Sequence, residues 1–161
     1  TGFLYAGLMI APDGTVKTLE FNCRMGDPET QPIMLRLKSD LVDLVEAATH
    51  GKLKTIEAEW DRRVALGIVM AAAGYPESPR KGDAIHGLPP HGGESDDYHV
   101  FHAGTALSNK DVVTAGGRVL CVTALGDNVR AAQMRAYEIA EQIEFAGMQM
   151  RRDIGHRAIR R

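Results

Sequence analysis

The chain has 161 residues, 44% of them hydrophobic and 25% charged, with a formal net charge of −2, enough for one domain of ordinary size or two small ones. The balanced charge makes no global field for nucleic acid or an anionic membrane, no apolar run is long enough to span a bilayer, and the first residues lack a signal-peptide pattern, so the expected compartment is the cytoplasm. The two cysteines, Cys23 and Cys121, lack C-x-x-C spacing, which leaves no zinc-ribbon or redox motif; both are expected as buried, reduced thiols within strands.

In chain order, Phe3 to Ala11 predicts a strand, Ala11-Pro12-Asp13-Gly14 a turn, and Val16 to Cys23 the returning strand of a hairpin. Pro32 to Leu37 predicts a short helix that Thr30 can cap. A second helix is expected with Ser39 as its cap, Asp40 in its first turn and His50-Gly51 at its end. Lys52 to Arg63 reads as a polar linker with Trp60 tucked into the junction. Val64 to Ala73 predicts a buried strand. Between Tyr75 and His99 the sequence is loop-rich, with a short strand at Asp83-Ala84-Ile85 and a mobile loop over Pro89 to Asp97. Tyr98 to Leu107, Asp111 to Thr114 and Arg118 to Leu125 predict strands. Gly126-Asp127 should cap a long amphipathic helix whose apolar stripe is Val129, Ala132, Ala136, Ile139, Ala140 and Ile143. A short basic tail follows. Strands flanked by a few helices give an α+β class.

The stretch Leu19 to Gln31 carries the chemistry. Strand alternation puts Glu20, Asn22 and Arg24 on one face and the apolar Leu19, Phe21 and Cys23 on the other, expected to enter a core. A carboxylate and an amide oxygen are hard ligands suited to Mg²⁺ or Mn²⁺, and the planar guanidinium of Arg24 suits a phosphate. A polar strand end followed by a proline turn would have the same composition without any site. Arg24 would then pair with Asp27 or Glu29, and Asp27, Pro28 and Glu29 would serve only as cap, corner and first-turn acid. His86, His91, His99 and His102 show no ligand spacing; His102 reads as a satisfied core histidine or a substrate contact, and Gly116-Gly117-Arg118 as a hairpin turn or a phosphate contact. The arginines of the tail, Arg151, Arg152, Arg157, Arg160 and Arg161, read as a solvated terminus.

Glu20-x-Asn22 with Arg24-x-Gly26-Asp27-Pro28-Glu29-x-Gln31 resembles the signature of the phosphoribosylamine–glycine ligase (glycinamide ribonucleotide synthetase) family, ATP-grasp enzymes of purine synthesis. His86-Gly87-Leu88-Pro89, Phe101-His102-Ala103-Gly104-Thr105, Gly116-Gly117-Arg118-Val119-Leu120 and Arg152-Asp153-Ile154-Gly155 extend the resemblance to the last few residues. It implies the C-terminal part of an ATP-grasp domain over residues 1–60, then a small mixed α/β C-terminal domain of mostly antiparallel strands over residues 61–161. It implies ligation of glycine to 5-phosphoribosylamine through a glycyl phosphate, with ATP as co-substrate. Glu20 and Asn22 would hold Mg²⁺ or Mn²⁺ at the ATP phosphates, and Arg24 would neutralise the transferring phosphoryl group. Asp27, Pro28, Glu29 and Thr30 would line the glycine or ribosylamine pocket, with Asp27 or Glu29 binding an ammonium or accepting protons.

The resemblance also implies a missing N-terminal part of the same protein as partner, no nucleic-acid or membrane partner, and inactivity of this chain alone. Three features of the pattern have no counterpart: no Asp or Glu lies between Thr1 and Pro12 to complete the metal site, and neither a Gly-rich loop nor an adenine-pocket lysine is visible. Met25 stands where the family often has Phe or Leu, an apolar exchange. The rival readings are another ATP-grasp carboxylate–amine ligase or carboxylase, which Asp27-Pro28-Glu29-Thr30-Gln31 argues against, and a non-catalytic interaction module binding through its sheet edges.

Overall fold

Alternating strands around the Pro12-Asp13-Gly14 turn form an antiparallel hairpin, β1 (Tyr5–Ile10) and β2 (Val16–Asn22). The chain is seen here as a computed structural model that describes residues 1–90 and 95–159. His91 and part of the loop expected over Pro89 to Asp97 lie outside the described residues, as do Arg160 and Arg161. In the hairpin turn, Asp13 Oδ1 accepts from the Thr15 amide at 2.9 Å and Gly14 adopts φ 86°, which a side chain would oppose. The register shifts between Gly7 and Leu8, so Leu19 is an extra residue on β2.

The face of Leu19 and Phe21 does not enter a core. Those residues are 64% and 63% exposed, Cys23 is exposed as well, and among the described residues the hairpin is a two-stranded sheet. Cys121 alone is buried, and burial pushes its thiol pKa up.

Helix α1 (Thr30–Arg36) follows the Asp27-Pro28 corner. Its cap position is Glu29, not Thr30. Thr30 is already helical, and its hydroxyl donates back to the Gly26 carbonyl. Helix α2 (Leu41–Thr49) is capped by Asp40, whose carboxylate accepts from the Val42 amide at 2.7 Å. The expected cap, Ser39, instead accepts from the Glu59 amide at 2.7 Å. The linker contains a short 3-10 turn at Leu53–Thr55. Trp60 is not tucked in: its backbone bridges Leu37 while the side chain stays 45% exposed.

The second unit is built on a three-stranded antiparallel sheet in the order β3 (Val64–Ala71), β7 (Arg118–Gly126), β4 (Tyr98–His102). Period-two alternation divides its faces. Leu66, Ile68 and Met70 stand opposite Ala124, Val122 and Leu120, and with Val100 they pack on Ala132, Ala136 and Ala140 of helix α3 (Val129–Ala140). The opposite face carries Gly67, Cys121 and Thr123. There Pro32 of α1 sits so close that a Cβ on Gly67 would lie 3.3 Å from its Cγ. This contact seats α1, and hence the turn before it, on the second unit.

The strand expected from Tyr98 to Leu107 is two strands, β4 and β5 (Thr105–Ser108), and β5 pairs with β6 (Asp111–Thr114). The break comes at Gly104, where backbones cross: a Cβ there would lie 2.7 Å from the Gly116 Cα. Asp83 to Ile85 is no strand; only Ala84 forms an isolated bridge, to Val113. Asn128, not Gly126-Asp127, caps α3, accepting from the Ala131 amide at 3.0 Å. The residues after α3 are not a free tail. Ile143 and Phe145 are buried, Glu144 bridges His86 and Gln149 bridges Ala71, before a last short helix α4 (His156–Ile159). The architecture is the expected α+β arrangement of mostly antiparallel strands.

Candidate active site

Unbroken pairing of Tyr5 with Asn22, Ala6 with Phe21 and Gly7 with Glu20 keeps Glu20 and Asn22 on one face of β2, beyond the bulge. Glu20 lies over Gly7, where a Cβ would come within 3.2 Å of its Cγ. The Asn22 amide nitrogen is buried without a hydrogen-bond partner. A half-turn of the amide would exchange its nitrogen for the oxygen there, and in either orientation the buried polar atom of Asn22 is unpaired. A carboxylate with an orphaned amide next to it on the strand face fits a hard divalent cation.

Arg24 departs from this face. β2 ends at Asn22, so alternation no longer directs it, and its Nη1 donates to the Met25 carbonyl at 3.0 Å. Among the described residues it forms no ion pair with Asp27 or Glu29. Gly26 is buried against two neighbours: a Cβ would lie 2.4 Å from Glu29 Oε2 and 2.9 Å from the Tyr5 ring. Tyr5 stands opposite Asn22, so the structure brings Asn22, Tyr5, Gly26 and Glu29 into one neighbourhood. Asp27 and Pro28 lie further along. Pro28 lines a cavity of about 470 Å³ together with Gly67, Val69, Tyr75, Arg118 and Met150. Arg118 Nη1 donates to the Asp27 carbonyl at 3.0 Å and lies 3.4 Å from its carboxylate.

Tyr5 and Tyr75 were not singled out in the sequence. Tyr5 escapes because register counted back from the turn, with Val16 opposite Ile10, puts Asn22 opposite Leu4; the extra residue Leu19 moves the partner to Tyr5. Tyr75 was visible only as part of a Gly-Tyr-Pro turn. Among the described residues, no group of three or more metal-ligating side chains occurs. His102 is exposed rather than a core residue, with Nδ1 3.1 Å from the Thr105 hydroxyl. His99 meets the Phe101 ring edge-on at 4.5 Å.

The linker is tied at its end. Arg36 donates through Nε and Nη2 to the Asp61 carbonyl at 3.1 and 2.9 Å. The buried Asp61 carboxylate accepts from Arg63 Nε and Nη2 at 3.0 and 2.8 Å, and Arg63 Nη1 reaches Asp97 at 2.5 Å. Arg135 of α3 completes the chain, 3.3 Å from Asp97. The bonds from Arg63 hold the Asp61 carboxyl well below the usual carboxylate range, and Asp61 and Asp97 hold the Arg63 guanidinium above its own.

Two family descriptions match parts of the chain. Residues 1–30 match the family described as phosphoribosylglycinamide synthetase, ATP-grasp (A) domain, and residues 65–157 match phosphoribosylglycinamide synthetase, C domain. The class is therefore that of ATP-grasp synthetases: a hairpin of the A-domain type, followed by a small α+β domain. The chain belongs to the phosphoribosylglycinamide synthetase family. It is 63% identical over 161 residues to a phosphoribosylamine–glycine ligase of Ralstonia nicotianae and 61% identical over 162 residues to one of Yersinia pestis. All of this chain is matched in both, but it spans only 37% of the length of either relative. The crystal structure of the Thermotoga maritima phosphoribosylamine–glycine ligase superimposes on 93% of this chain with a TM-score of 0.71 and 36% identity, the match covering 36% of that chain. No helix among the described residues is long and apolar enough to cross a membrane.

Proposed function

We propose that this chain is the C-terminal part of a cytoplasmic ligase that joins glycine to 5-phosphoribosylamine, with ATP converted to ADP and phosphate. The observation that carries the reading is the pairing of Glu20 with the orphaned Asn22 amide on one face of β2, in a chain whose relatives are phosphoribosylamine–glycine ligases. Glu20 and Asn22 would hold Mg²⁺ or Mn²⁺, which when bound neutralises phosphate charge. ATP phosphorylates the glycine carboxylate, and the ribosylamine nitrogen then displaces phosphate to form the amide. Positioning and charge neutralisation suffice for both displacements.

Arg24 would serve as the cation for the phosphoryl group once its bond to Met25 is exchanged. Asp27, Pro28, Glu29 and Thr30 line the glycine or ribosylamine pocket, with Glu29 nearest the metal-binding face through Gly26 and Tyr5. The boundary between the two domains falls near residue 60, where the linker meets the Asp61 network. The rest of the nucleotide site belongs to the remainder of the native protein.

The test is glycine-dependent ADP release by the native protein supplied with ribosylamine and Mg²⁺. Glu20→Gln is expected to lower kcat by about a hundredfold, and this chain alone is expected to release no ADP. Full turnover by the variant would remove Glu20 from the site, and ADP release without glycine would point to another ATP-grasp reaction.

A further inference from the structure

The turn over residues 24–29 carries most of the proposed substrate contacts, but little of its own making holds it to the second unit. Its internal bonds run from Arg24 to the Met25 carbonyl and from Thr30 to the Gly26 carbonyl. Among the described residues, the hydrogen bonds and ion pairs that join it to residues beyond 60 come from Arg118. Arg118 is the first residue of β7 and stands opposite Ala71 at a register shift. Its fork is divided: Nη1 holds the Asp27 carbonyl at 3.0 Å and Nε donates to the Tyr75 hydroxyl at 3.2 Å. Tyr75 is fixed in turn by Gly117, where a Cβ would lie 2.4 Å from its ring. Only glycine at 117 allows the ring to rest on the backbone beside Arg118.

We propose that Arg118 is a positioning residue of the ligase site: anchored by Tyr75, it sets the Asp27–Thr30 turn at the distance from β2 that substrate binding requires. The proposal rests on the ligase reading above. A main-chain carbonyl and a carboxylate on the same residue are both addressed by one guanidinium, which fixes the backbone of the turn as well as a side chain. The second unit thereby contributes to the site through the turn.

The test is made in the native protein with Arg118→Met and Tyr75→Phe. Amide exchange at Gly26, Glu29 and Thr30 is expected to be about tenfold faster in Arg118→Met, as for loss of a hydrogen bond to a charged group, while Ile68 and Val122 keep their protection. The kcat/KM for glycine or ribosylamine should fall about tenfold with the KM for ATP unchanged. Tyr75→Phe keeps the ring on Gly117, removes only the hydroxyl, and should give the same changes to a smaller extent; it decides the matter if Arg118→Met does not fold. Unchanged exchange over residues 26–30 overturns the proposal, whatever happens to activity, because Arg118 would then act on substrate directly or not at all. Exchange is read without turnover. A wild-type protein lacking glycine-dependent ADP release would therefore refute the ligase reading separately.

Discussion

Gly7 shows how much one hydrogen in place of a side chain can decide. It stands opposite Glu20, and a Cβ there would come 3.2 Å from Glu20 Cγ, tight enough that the carboxylate stem must give. Val at this position suits a strand better than Gly does, so the fold has no objection to it. The objection belongs to the site. Gly7→Val in the native protein is expected to raise the Mg²⁺ concentration for half-maximal activity about tenfold, the scale on which neighbours of metal ligands act. The unfolding free energy should stay within about 0.5 kcal/mol of wild type. A metal titration beside a urea melt checks both; equal metal requirement would mean that Glu20 does not need the space over Gly7. Gly7 was not evident beforehand, because hairpin counting from the turn pairs Glu20 with Ala6, and only the bulge at Leu19 brings Gly7 across.

At the scale of elements, the linker between α2 and β3 behaves as a fastened joint, with Asp61 as its fastening. Arg36 reaches the Asp61 carbonyl, and Arg63 binds both oxygens of its carboxylate. The folded carboxyl titrates below its unfolded counterpart, so the unfolded chain takes up the proton first as pH falls. The pair's stabilisation is thus complete above about pH 4 and is lost on going lower, toward the folded value. Asp61→Asn should lower the urea midpoint of this chain by the same amount at pH 7 and pH 5, and by less at pH 3; a gap that does not narrow in acid would show that the carboxylate charge is not what fastens the joint. The hairpin, β3, β7 and α3 were legible in the sequence because Pro12-Asp13-Gly14, Val64 to Ala71 and the Ala132, Ala136, Ala140 stripe state their period locally. The joint was not, since Asp61, Arg63 and Asp97 lie in polar stretches with no period. Nor was the split at Gly104, which follows from a crossing with Gly116 that no local pattern announces. Each missed cap, at Thr30, Ser39 and Asp127, erred by one residue: Asp40 and Asn128 cap as well as the residues before them, while Glu29 holds its position with no side-chain cap bond.

At the scale of the molecule, the two units differ in how they treat apolar surface. The second closes a core in which Ile68, Met70, Val119 and Val122 are fully buried or nearly so. The hairpin leaves Leu8, Met9, Ile10, Val16, Leu19 and Phe21 exposed, apolar side chains on a sheet of two strands, where isolated hairpins are marginal in water. Adjacent exposed side chains of this size attract apolar probes and other copies of the chain. This chain is therefore expected to bind a hydrophobic fluorescent dye and to scatter light as its concentration rises. A Leu19→Thr, Phe21→Thr double substitution should reduce both, because it removes the two largest exposed apolar side chains of β2 while keeping strand-forming residues. The thermal transition of the second unit should not move, since neither residue belongs to its core. Undiminished dye binding in the double variant would locate the sticky surface elsewhere, and a lowered transition would mean that the hairpin supports the core after all.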